Sequence, residues 1–141
     1  MLGTVVWKMM NGQAMDENQA DERGKSAHNR HFFLDIVTED GNWQRLPLQQ
    51  GDLIIGRSSN RCNLIIEGAR ISRVHLRVSR TVDKGITITD LYSANGTLFD
   101  GRQLEAGVAI TWLINQTATI GEVRLTLRYG SMDTKRLDEL T

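Results

Sequence analysis

Val123-Arg124-Leu125-Thr126-Leu127-Arg128-Tyr129 is the stretch that decides the fold class. Apolar and polar side chains alternate along it at period two, which sends Val123, Leu125, Leu127 and Tyr129 to one face of an extended chain and their neighbours to the other. Ile86-Thr87-Ile88-Thr89 and residues 74–78 repeat the pattern. Phe32 to Val37, Trp43 to Leu48, Leu53 to Gly56, Leu64 to Ile66, Val108 to Ile114 and Thr117 to Ile120 are the other candidate strands. These short β-rich runs recur about every ten residues and are separated by Gly, Asn, Asp or Ser, the spacing of a sandwich or barrel rather than of βαβ units. Glu39-Asp40-Gly41-Asn42 reads as the turn joining the first two strands of this series. Asp100-Gly101, between Phe99 and Leu104, supplies the positive φ that a tight hairpin needs. The single proline, Pro47, cannot donate to a ladder and so assigns its strand to a sheet edge. Between residues 31 and 130 no long stretch carries a helical apolar stripe, so the fold class is all-β.

Outside that region the texture changes. Residues 1–30 read as a flexible polar leader, with Val5-Val6-Trp7 as a short extra strand or a sticky tail inside it. Residues 31–130 form the one domain that 141 residues hold comfortably, and residues 131–141 are a charged tail. The 17 basic and 17 acidic side chains cancel, so no global field draws the chain onto nucleic acid or an anionic membrane, and any anion recognition has to be local. One cysteine, Cys62, leaves no intramolecular disulfide framework or cysteine-built metal site and suits a reducing compartment, so a cytoplasmic location is expected. The apolar run Val5 to Met10 is interrupted by Lys8 and is far shorter than the roughly 20 residues of a spanning helix; it also lacks the features of a signal peptide.

Three connecting segments carry anion chemistry. Gly56-Arg57 follows Leu53-Ile54-Ile55, so a strand ends in a glycine that permits a tight turn and then in a planar cation able to hold phosphate through two parallel hydrogen bonds. Arg70-Ile71-Ser72-Arg73-Val74-His75 precedes another strand, and Ser72 offers a hydroxyl and a backbone N–H between two arginines. His75 reads as a structural histidine that fixes this loop. In Tyr92-Ser93-Ala94-Asn95-Gly96-Thr97, Asn95 offers an amide donor and acceptor and tolerates left-handed geometry. Taken singly, each segment is equally a solvated loop or a turn.

As an ordered set, Gly56-Arg57, Ser72-x-x-His75 and Asn95-Gly96-Thr97 resemble the forkhead-associated (FHA) domain, and the resemblance runs from about His31 to Tyr129. It implies a β-sandwich of about eleven strands, in agreement with the strand spacing, whose loops at one end bind phosphothreonine segments. It further implies that Arg57, Ser72 and Arg73 contact the phosphate, with Ser72 using hydroxyl and backbone. Asn95 and Arg70 would contact the peptide, and Gly56, His75, Gly96 and Thr97 would shape the loops. Ala94 stands where relatives often carry Ser or Thr, which removes one supplementary contact.

The implied function is a non-enzymatic, phosphothreonine-dependent interaction module without a cofactor, whose partners are a phosphothreonine protein and an upstream Ser/Thr kinase. The alternative is a phosphate-independent scaffold domain of a larger assembly such as a secretion apparatus. The flanking charges of Arg70 and Arg73 predict a preference for an acidic residue near the third position after the phosphothreonine, carried mainly by Arg70. Other chemistry fits poorly. Arg23-Gly24-Lys25-Ser26 ends like a P-loop, but Gln19 stands where that motif needs glycine. Ser72 and His75 have no placed carboxylate to complete a catalytic triad. His28, His31 and His75 with Cys62 do not form a credible metal set.

Overall fold

The computed structural model describes residues 5–7 and 30–131 of the chain. Twelve strands form two six-stranded sheets packed face to face, with no helix among the described residues. The first sheet contains β1 (Val5–Trp7), β5 (Leu64–Ile66), β4 (Gly51–Gly56), β6 (Leu76–Thr81), β7 (Gly85–Asp90) and β10 (Ile110–Thr111), neighbours in that order. The second contains β3 (Trp43–Pro47), β2 (Arg30–Val37), β12 (Val123–Ser131), β11 (Thr117–Ile120), β8 (Leu98–Phe99) and β9 (Arg102–Gln103). All pairs are antiparallel except β4 with β5. The fold is the all-β sandwich that the alternating pattern implies.

The quoted stretch is the centre of the second sheet. Val123, Leu125 and Leu127 turn inward and are buried, while Arg124 is exposed. The register sets Leu127 against Leu34 and Leu125 against Ile36. Across the sandwich lie Ile55, Leu64, Ile66, Leu76, Val78 and Ile88, all but excluded from water and part of one continuous core. Burial of such side chains contributes roughly 1.5–3 kcal/mol each. β3 is an edge strand, as Pro47 requires, and Asp100 (φ 49°) and Gly101 (φ 87°) make the tight turn between β8 and β9.

Several sequence expectations shift. Residues 74 and 75 belong to a loop rather than to the strand, which begins at Leu76, because the buried His75 side chain is committed to loop hydrogen bonds. Only Ile110–Thr111 of the expected run 108–114 is strand. Trp112 makes the last backbone bond to β7, its N–H donating to Ile86 O at 2.8 Å, while its indole turns into the core, edge-on to Phe99 at 5.7 Å, and donates from Nε1 to Gln116 O at 2.8 Å. The leader expected over residues 1–30 is not wholly outside the domain. Val5–Trp7 extends the first sheet against β5, satisfying backbone groups of an otherwise open edge, and β2 starts at Arg30. The rest of the expected leader and residues 132–141 of the expected tail lie outside the described residues. Among the described residues no helix is long and apolar enough to cross a membrane.

Trp112→Ala is expected to lower the stability of the fold by about 3–5 kcal/mol, through loss of a buried aromatic and of its hydrogen bond to Gln116 O, which keeps only the Leu127 N–H as donor. Urea unfolding followed by circular dichroism measures it, and a loss below about 1 kcal/mol is incompatible with this packing.

Candidate functional site

Three loops meet at one end of the sandwich: residues 57–63 after β4, 67–75 before β6 and 91–97 after β7. The first two are laced together through backbone. Arg57 N–H donates to Ser72 O and Ser58 N–H to Arg73 O, both at 3.0 Å, and His75 N–H donates to Ile55 O at 2.8 Å. The buried Cys62 thiol donates to Arg73 O at 3.1 Å. This lacing needs glycine at position 56. A Cβ there would overlap Arg73 O and stand 2.9 Å from Ser72 O. The need is close approach of two backbones rather than the tight turn expected from sequence, since Gly56 is not among the positive-φ glycines.

His75 joins the second loop to the third. Its ring is fully buried, Nδ1 accepts the Ser72 N–H at 3.0 Å, and Nε2 lies 2.9 Å from Gly96 O, where it can only donate. The ring is therefore the neutral tautomer with hydrogen on Nε2. Burial pushes its pKa down, against the opposing pull of Gly96 O and of Asp90. His75 is a structural ligand of both loops.

Asp90, at the end of β7, organises the third loop. Its carboxylate accepts from Ser93 Oγ at 2.6 Å, Ser93 N–H at 3.0 Å and Thr97 Oγ1 at 2.6 Å. Burial by itself raises this carboxyl, but the donors from Ser93 and Thr97 outweigh burial and hold it below the ordinary carboxylate value. The left-handed residues of the loop are Tyr92 (φ 57°) and Gly96 (φ 80°); Asn95, expected to tolerate that geometry, does not use it.

The functional candidates stand on this frame. Arg57 is exposed, and its Nε donates to Ile71 O at 2.8 Å, which aims the guanidinium and leaves the two terminal nitrogens for a ligand. Ser72 Oγ accepts the Ala94 N–H at 2.8 Å, so its own proton can be donated outward. The Ser72 backbone N–H, expected to serve the anion too, is instead committed to His75 Nδ1. Asn95 donates from Nδ2 to Arg70 O at 3.1 Å, leaving its carbonyl oxygen and second amide hydrogen. Arg73 is exposed, and its side chain makes no hydrogen bond or ion pair with the described residues. Arg70 pairs with Glu122 across the β11–β12 turn, Nη1 to Oε2 at 3.3 Å. A guanidinium face, a hydroxyl donor and an amide thus converge at one end of the sandwich.

A family model described as the FHA domain matches residues 53–115, the span that holds all three loops. The chain carries an FHA domain. Solved FHA structures share its fold. The FHA domain of a Chlamydia trachomatis protein superposes with a TM-score of 0.63 at 25% identity, over 70% of this chain and 96% of that one. Mycobacterium tuberculosis EmbR, solved in complex with a low affinity phosphopeptide, gives 0.62 at 22% identity, over 73% of this chain and 25% of EmbR. An Arabidopsis thaliana FHA domain gives 0.59 at 23% identity, over 74% and 91%. No curated protein matches the chain in sequence.

Two members of the FHA loop frame escaped the sequence reading. Asp90 was legible in principle, since Asp90-Leu91-Tyr92-Ser93 leaving a strand is the pattern of a side-chain-closed turn. Glu122 was not, because it reaches Arg70 from 52 residues away along the chain.

Stability of the FHA domain should depend on pH through His75. The unfolded imidazole titrates at its ordinary 6.5 and the folded one lower. The contribution is therefore complete above about pH 6.5 and declines as pH falls from there toward the folded value, because only the unfolded chain binds the proton. Urea midpoints measured from pH 8 to pH 5 should fall over this window for the natural chain. His75→Ala should remove this component and lower stability by about 2–4 kcal/mol throughout. A midpoint drop of unchanged size in the variant would assign it to another group.

Proposed function

We propose that the loop end of this FHA domain binds a phosphothreonine-bearing segment of a partner protein, and that the chain acts as a phosphorylation-dependent interaction module in Ser/Thr-kinase signalling. The observation that carries the reading is the anchored pair of Arg57 and Ser72. The arginine is held by Ile71 O through Nε and the serine by Ala94 N–H through its lone pair, so both present donors outward from loops that are already ordered. A phosphate carries about −1.5 to −2 charges at neutral pH and three strong acceptor oxygens. Each charge-assisted bond to it contributes roughly 1.5–3 kcal/mol, and preordered donors lose little conformational freedom on binding.

In this reading Arg57 grips two phosphate oxygens with its terminal nitrogens and Ser72 Oγ donates to a third. Arg73, exposed beside Ser72, adds positive charge and its own unengaged side chain. Asn95 receives the main chain of the segment through its remaining amide groups, at a point where it also steadies Arg70. His75, Gly56, Gly96 and Thr97 act by holding the loops. No group is required to exchange a proton with the ligand, which is consistent with recognition rather than catalysis. EmbR, with its phosphopeptide, provides a precedent on the same fold.

Isothermal calorimetry with a phosphothreonine peptide, its phosphoserine counterpart and the unphosphorylated peptide tests the proposal. Arg57→Ala is expected to abolish binding of the phosphothreonine peptide without change in melting temperature, because Arg57 is exposed. Ser72→Ala should weaken binding by about 1.5–3 kcal/mol. Equal affinity for the unphosphorylated peptide, or unchanged affinity in both variants, would point to a phosphate-independent scaffold instead.

A further inference from the structure

Beside the three loops lies a cavity of about 160 Å³ that the binding of a phosphate alone leaves unused. Its floor is apolar: Ile71 and Val123 line it, and both are almost completely buried. Its rim is charged. Glu39, Glu67 and Glu122 carry carboxylates against the single guanidinium of Arg70, so three negative charges and one positive leave a net charge of −2 around the opening. Arg70 is moreover engaged by Glu122. Among the described residues, Glu39 and Glu67 have no cationic partner.

The cavity adjoins the anion site through residues 70 and 71. Ile71, at its floor, supplies the carbonyl that anchors Arg57 Nε, and Arg70, at its rim, supplies the carbonyl held by Asn95. A segment whose phosphate sits on Arg57 and Ser72 and whose main chain meets Asn95 has this opening within reach of its neighbouring side chains. We infer that the cavity selects a lysine or arginine of that same segment, with the aliphatic stem on Ile71 and Val123 and the cationic head at Glu39 and Glu67. Long cationic side chains are suited to such a site because they bury an apolar stem and keep the charge at a polar rim. The inference rests on the phosphothreonine reading and reverses the acidic preference expected from Arg70 in the sequence: an acidic side chain would have to displace Glu122 and approach the two other carboxylates.

The test is a phosphothreonine peptide library randomised on both sides of the phosphorylated residue, probed with the natural chain, with the double variant Glu39→Gln, Glu67→Gln, and with Arg70→Ala. Lys and Arg should be enriched about fivefold over Asp and Glu at one position, the equivalent of about 1 kcal/mol for an exposed charge pair. The double variant should lose most of this enrichment and bind a peptide with alanine at that position as tightly as the natural chain does. Arg70→Ala should retain or increase it, and raised salt should reduce it. Enrichment of aliphatic or acidic residues, or a cationic preference that survives the double variant, would overturn the cavity assignment while leaving phosphothreonine binding intact. Absence of binding to every phosphothreonine peptide would overturn both readings together.

Discussion

One buried, uncharged imidazole braces the loop end from inside. His75 accepts from the backbone of the second loop and donates to the backbone of the third, and no other neutral side chain of that size presents one acceptor and one donor on opposite sides of a ring. Its neutrality is itself a product of burial. A protonated ring would turn a donor toward the Ser72 N–H, so the geometry that spaces Ser72 from Gly96 exists only while the ring stays uncharged. Position and protonation state are here a single constraint.

Around that brace the site is built by using up the hydrogen-bonding groups that face inward. Arg57 gives Nε to Ile71, Ser72 gives a lone pair to Ala94, Asn95 gives one amide hydrogen to Arg70, and Asp90 absorbs the hydroxyls of Ser93 and Thr97. What remains pointing outward is a set of donors suited to a phosphate. The same economy explains Gly56, whose missing side chain allows the first loop to lie against the second. Rigid sheets make this possible. β4, β6 and β7 are adjacent in one sheet, and the loops at their ends inherit its spacing.

Charge divides the loop end into two neighbouring regions of opposite character. Arg57 and Arg73 face outward on one side, while Glu39, Glu67 and Glu122 surround the cavity on the other, and Arg70 stands between them in an ion pair. Zero net charge for the whole chain conceals this arrangement. A ligand with a phosphate and a nearby cationic side chain complements both halves, and long-range attraction plays little part for a protein without net charge.

Much of this was legible from residue order alone. Period-two alternation in Val123–Tyr129 determined an inward and an outward face, because successive side chains of a strand must point oppositely, and that sufficed for the all-β class. Pro47 determined an edge, and Asp100-Gly101 a tight turn, because each residue restricts its own backbone. The ordered appearance of Gly56-Arg57, Ser72, His75 and Asn95 pointed to three loops that the fold brings to one end of the sandwich. Tertiary structure decided what those groups are free to do. Whether the Ser72 N–H faces a ligand or a histidine depends on a ring three residues away that only the folded loop positions, and whether Arg70 carries an available charge depends on Glu122, 52 residues distant. Local pattern specifies conformation because it acts within one strand or turn. The hydrogen-bond and charge partners of a loop come from other loops, so their pairing appears only once the sandwich has brought them together.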